Sequence, residues 1–140
     1  MKTQERRSGP KGGCGATAVE FALLATPCLM LIFAIVNFAV ALYTYDFVCY
    51  TAQEAARYAI VNGATSPSPA TAANIETYVD GLVVGVLNTN QLSVNTTWNP
   101  NNKPGSVVTV QVSYVYQPVA SFVSSANITM TRTAAMVISQ

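Results

Sequence analysis

The chain has 140 residues, of which 51% are hydrophobic and only 9% charged, whereas an ordinary soluble domain carries about 25% charged residues. That balance argues against a plain water-soluble enzyme, and a net charge of +1 argues against a nucleic-acid-binding protein. The apolar excess is also local. Phe21 to Tyr45 contains no charged residue, and a helical run of that length matches the ~30 Å hydrocarbon core of a bilayer.

In chain order, residues 1–15 set Lys2, Arg6, Arg7 and Lys11 against Glu5, a net +3, and include Gly9, Pro10, Gly12, Gly13 and Gly15. Such a segment reads as a polar leader, extended or disordered in water. Residues from Asp46 onward sum to −1, so the positive-inside tendency predicts a cytoplasmic N-terminus and an exported C-terminal part. The pattern predicts one long helix from Ala16 to Asn62. Pro27 is the kind of interruption that membrane helices tolerate, and the Thr26 hydroxyl is placed to bond the Ala22 carbonyl one turn back.

Past the apolar run the helix turns amphipathic, with Ala52, Ala55 and Ala59 on one stripe and Glu54 and Arg57 placed to pair weakly. Asn62-Gly63, followed by Ser66-Pro67-Ser68-Pro69, supplies its stop. Ile75, Tyr78, Val79, Leu82, Val83 and Val86 then recur at helical spacing and predict a second helix over Thr71 to Leu87. Gly81 and Gly85 weaken it by ~1 kcal/mol each relative to Ala and offer a close approach to a sheet. From there the period changes to two. Strands are predicted over Gln91 to Trp98, Ser106 to Tyr116 and from Ile128 onward, with a turn at Asn99 to Gly105 and a connector at Pro118 to Ser125. The fold class is therefore α+β: a long N-terminal transmembrane α-helix followed by a small helix plus antiparallel β-sheet domain. The domains fall at 1–15 (leader), 16–63 (transmembrane and extended helix) and 64–140 (exported domain).

The residues offer little chemistry. There is no histidine, and the cysteines Cys14, Cys28 and Cys49 all lie in or beside the membrane-proximal region, so neither a zinc site nor a nucleophilic constellation is expected. On one helix Cys28 and Cys49 stand about 31 Å apart, too far for a disulfide within the chain; a bridge between copies through Cys49 stays open. Glu76 and Asp80 share one solvated helix face. Not an enzyme, no cofactor, no nucleic acid and no small-molecule substrate are the expectations.

The informative stretch is Gly15-Ala16-Thr17-Ala18-Val19-Glu20-Phe21, where a basic leader ends in glycine and a lone acid enters an apolar helix. An unpaired carboxylate in hydrocarbon costs ~2.5 kcal/mol or more. Cleavage between Gly15 and Ala16 would create an amino group about one turn from Glu20 to compensate it. These residues resemble the prepilin-type signal of the type IV pilus superfamily. More narrowly, Gly15 to Gly63 is similar to the TadE-like pseudopilins of tight-adherence (Flp) pilus systems: GATAVEFALL, the apolar run with Pro27, then AQEAARYAIVNG. One departure is Phe21, where many of the wider Flp pilin group carry Tyr; another is the long tail from Ala64.

The resemblance implies a minor pilin-like subunit of the bacterial inner membrane, cut after Gly15 by a prepilin peptidase and supporting assembly of an adhesive pilus. Its implied partners are the membrane, that peptidase, other pilins or pseudopilins and the inner-membrane assembly platform. Glu20 and Phe21 would then set assembly register, and Ala18, Ala22 and Ala25 would pack against a neighbouring helix. The competing class is an uncleaved single-pass membrane-anchored binding module. Ala39-Val40-Ala41 also satisfies the small-residue rule of ordinary signal peptidase, which would release a fragment starting at Leu42.

Overall fold

A computed structural model of the chain describes residues 14–85, 87–118 and 127–139. The leader up to residue 13, Val86 and most of the Pro118 to Ser125 connector lie outside them. The described residues form helix α1 (Cys14–Val61), helix α2 (Ala72–Gly81), a single 3-10 turn at Thr89–Gln91, and strands β1 (Leu92–Asn99), β2 (Val107–Tyr116) and β3 (Ile128–Val137). This is the expected α+β arrangement. The strands make one antiparallel sheet in the order β1-β2-β3.

Helix α1 runs for 48 residues and passes through Pro27 without ending, about 72 Å at 1.5 Å per residue. Thr26 donates to the Ala22 carbonyl at 2.8 Å as expected. Thr44 does the same to Val40 at 2.8 Å, and Thr51 to Phe47. Beyond Val61 the Asn62 backbone and side chain both donate to the Tyr58 carbonyl, at 3.2 and 3.0 Å.

Helix α2 begins at an N-cap, Thr71, whose hydroxyl accepts from the Asn74 backbone at 3.3 Å. It ends at Gly81, well before the expected Leu87. Gly85 adopts φ +76°, the left-handed region that glycine enters without steric cost, so the chain turns where the apolar spacing alone suggested more helix. A side chain at Gly81 or Gly85 would meet nothing within 4 Å. These glycines do not serve a close approach to the sheet.

The sheet is two-faced. Val108, Val110, Val112, Tyr114 and Tyr116 point to one side and are buried. The register sets Trp98, Thr96, Val94 and Leu92 of β1, and Met136, Ala134, Arg132, Met130 and Ile128 of β3, on the same side. Helix α1 lies along this face over β2 and β3, and α2 lies over β1. The opposite face carries Ser93, Asn95, Thr97, Thr109, Gln111, Ser113, Thr129, Thr131 and Thr133, together with Val107, Val115 and Val137, and is left uncovered by helices.

The core joins residues on both sides of Gly63. Phe47, Val48, Ala52, Ala55, Ala56 and Ala59 of α1 pack with Ile75, Val79 and the inner face of β2. Both ends of the α1 contact are fastened by hydrogen bonds. The Tyr116 hydroxyl donates to the Asn37 carbonyl at 3.0 Å, and 23 residues further along the helix the Ser139 backbone and hydroxyl both donate to the Ile60 carbonyl, at 3.3 and 3.1 Å.

Candidate functional site

Helix α1 divides at Asn37. From Asn37 on, one side of it is domain core; before Asn37, every side chain from Gly15 to Val36 is exposed except half-buried Ala25. The bare part presents Leu24, Leu29, Met30, Ile32 and Phe33 among its exposed large apolar residues. It belongs to a helix long and apolar enough, by length and composition, to cross a membrane. Globular domains rarely leave a large continuous apolar surface to water, so this surface is the candidate site.

The residues singled out from sequence all stand on its first turns. Gly15 and Ala16 lie within the helix, at its start. A side chain at Gly15 would meet nothing within 4 Å, and its φ is not positive. The fold of this chain therefore makes no demand for glycine there. Glu20 follows Ala16 by four residues, one helical turn, and is exposed beside Phe21, which is 73% exposed. Ala18 and Ala22 are exposed on one helix stripe with Ala25, a strip with no bulk to hold a neighbouring helix away. Cys28 is exposed and Cys49 half-buried, both as free thiols.

Asn37 is the residue whose part was not legible. It interrupts the apolar run as a lone amide, and the structure makes it the contact point between the helix and the far end of β2. Just above it a cavity of about 240 Å³ opens between α1, β2 and the segment leading into β1, lined by Val40, Thr44, Leu87, Asn88, Tyr114 and Tyr116, among others. The Tyr114 hydroxyl there accepts from the Asn88 backbone at 3.1 Å. Its named lining carries no charged group, and among the described residues no three of Cys, Asp and Glu gather as metal ligands would.

A second cluster fastens α2 to α1. Tyr58 and Tyr78 stack with ring centroids 4.5 Å apart and planes 12° from parallel. Tyr78 donates to a Glu54 carboxylate oxygen at 3.2 Å, and the other oxygen of Glu54 meets Arg57 at 3.7 Å, the pair expected from their spacing. Loss of water pushes the Tyr78 hydroxyl above its ordinary pKa of 10.0, and the adjacent Glu54 carboxylate adds to the shift by charge and by accepting the proton's hydrogen bond. Arg57 is mostly exposed, so its ion pair contributes at most about 0.5 kcal/mol.

Neither the curated proteins nor the solved structures contain a match to this chain. A protein-family model described as TadE-like protein matches residues 15–57. The matched stretch starts at Gly15, covers the bare part of α1, and continues through Ala52, Ala55 and Ala56 on the buried stripe. Over residues 15–57 the chain is similar to the TadE-like family, consistent with a TadE-like protein of tight-adherence pilus systems.

Proposed function

We propose that the protein is a minor pilin-like subunit, processed after Gly15 by a prepilin peptidase and supporting initiation or assembly of a tight-adherence pilus. The observation that carries this reading is the exposed rod ahead of Asn37: a continuous apolar helix whose residues from Gly15 to Val36 are all exposed except half-buried Ala25, with a glycine at its start that the fold does not require. In the bilayer, lipid covers the rod. On assembly the same surface exchanges lipid for the helices of other subunits, so apolar area is never returned to water.

Cleavage would leave the Ala16 amine as the new chain end, one turn from Glu20. A carboxylate in the first turns of a helix is favoured both by that cation and by the positive end of the helix dipole. The pair would form within one subunit or between two and fix the axial register, with Ala18, Ala22 and Ala25 as the close-packing strip. The N-terminus stays cytoplasmic and the domain is exported across the inner membrane, following the charge bias of residues 1–15.

The deciding experiment is intact-mass analysis and N-terminal sequencing of the membrane-extracted protein made beside its cognate peptidase. A chain starting at Ala16 supports the proposal; a chain starting at Met1 refutes it and favours a permanent tether. A start at Leu42 would mean release by ordinary signal peptidase. That outcome sits poorly with the structure, because Val40 and Ala41 lie inside the continuous helix and pack against the core. For the register role, Glu20→Gln and Glu20→Leu should both abolish co-purification with partner subunits while leaving the domain folded; retention of partners in both variants would refute it.

A further inference from the structure

The bare and embedded parts of α1 meet at Asn37 with no spacer, and this junction sets the height of the domain above a bilayer. The 21 residues 16–36 measure about 31 Å as a helix, which fills a hydrocarbon core of ~30 Å. The headgroup layer adds about 5–8 Å on each side, the rise of about three to five more helical residues. Across those residues the domain already surrounds one side of the helix. Tyr116 bonds the Asn37 carbonyl, and Val40 and Ala41 pack on the core. Ile128 pairs with Tyr116 across the ladder, so the end of β2 and the start of β3 both stand at the level of Asn37.

The chemistry of this rim suits that layer. Phe38, Leu42 and Ile128 are 66, 50 and 47% exposed, and exposed Gln117 is polar without charge. The next charge along α1 is Asp46, nine residues past Asn37 and about 13 Å further from the bilayer. On β3 it is Arg132, four residues and about 13 Å beyond Ile128. Tyr43 and Tyr45 are exposed, and helix side chains lean toward the N-terminus. Both stand within eight helical residues of Asn37, near the interface, where tyrosine is enriched.

Building on the membrane-spanning reading above, we infer that this rim is a lipid-contact surface seated in the headgroup layer on the domain's own side of the bilayer. The domain rests on the membrane rather than standing above it on a stalk. The occupant is the lipid surface because the rim continues directly from the span.

The test is depth-resolved fluorescence quenching of the full chain in phosphatidylcholine/phosphatidylglycerol liposomes whose lipids are brominated at shallow or deep acyl positions. The native Trp98 pairs with Val108 at the far end of the ladder, eight strand residues and about 26 Å from Tyr116, and serves as the remote reference. In a Trp98→Phe background, Gln117→Trp and Ile128→Trp report on the rim and Leu29→Trp on the span. Gln117→Trp is at an exposed position and remains informative if Ile128→Trp disturbs the β2–β3 pairing. The rim tryptophans should lose most of their emission to shallow bromine and less to deep bromine, Leu29→Trp the reverse, and Trp98 none. Rim tryptophans that escape quenching while Leu29→Trp is quenched overturn the inference; a blue shift without quenching, the mark of cover by a second copy, overturns it equally. If Leu29→Trp is also unquenched, the spanning reading itself fails and the inference falls with it.

Discussion

The two parts of α1 share one unbroken backbone, yet they solve opposite packing problems. The part before Asn37 carries bulky exposed residues, Leu23, Leu24, Leu31, Phe33 and Ile35. The part after it buries one large residue, Phe47, and otherwise the smaller Thr44, Val48, Thr51, Ala52, Ala55, Ala56 and Ala59. Large side chains maximise apolar area against a fluid solvent that adapts to any shape. Small ones let a rigid sheet of valines and tyrosines lie close against the helix, where density matters more than area. Side-chain size thus separates the exposed stretch of the helix from the stripe that faces the sheet, Phe47 excepted.

The sharpest way to break this comparison is to exchange the sizes. Ala55→Leu inserts bulk where the helix meets the sheet with no exposed surface and should destabilise the domain by about 1–3 kcal/mol. Leu24→Ala, in the bare part, should leave domain stability within about 0.5 kcal/mol of the parent. Thermal unfolding of the detergent-solubilised chain, followed by near-ultraviolet circular dichroism, measures both. Equal effects at the two sites would erase the distinction.

A smaller effect is expected at the boundary itself. Tyr116→Phe removes the hydroxyl that reaches the Asn37 carbonyl. That carbonyl keeps its helical partner, so the loss should be about 1 kcal/mol. Hydrogen exchange of the β2 end and of α1 near Asn37 should rise, with the far end by Ile60 unchanged.

The smallest test concerns the flank where α2 is held. The Tyr78 hydroxyl is raised above 10.0 in the folded state by lost hydration and by Glu54. Its contribution to stability is therefore complete below pH 10.0 and is lost as pH rises through the shifted value. Alkaline titration should loosen α2 in the parent above pH 10.0 by more than in Tyr78→Phe, as read by hydrogen exchange of α2; identical profiles would show that the Glu54 contact contributes nothing.

Much of the fold was legible because its signals are local. The alternation of Val108, Val110, Val112, Tyr114 and Tyr116 fixes the buried face of β2, and the alanine stripe from Ala52 to Ala59 marks a buried helix face. The early end of α2 was not legible, since Leu82 and Val83 keep helical spacing and only the backbone angle at Gly85 reveals the turn. Nor does hydropathy separate lipid from protein as the neighbour of Val40 or Ala41. That assignment depends on Tyr116, 79 residues away in sequence from Asn37. At the candidate site, Gly15 and Glu20 stand five residues apart, so their spacing is a local signal, whereas the part of Asn37 required the sheet.

Because the sheet is fastened to α1 at both Asn37 and Ile60, the domain joins the rod through one continuous helix and not through a linker. A pull along the rod is borne as shear spread over the whole alanine-to-valine contact and both end bonds, instead of being concentrated at a linker. A twist of the helix beyond Asn37 is passed to the sheet through the same contact. Whatever grips the apolar end thereby steers the orientation of the uncharged Thr/Ser face on the far side of the sheet.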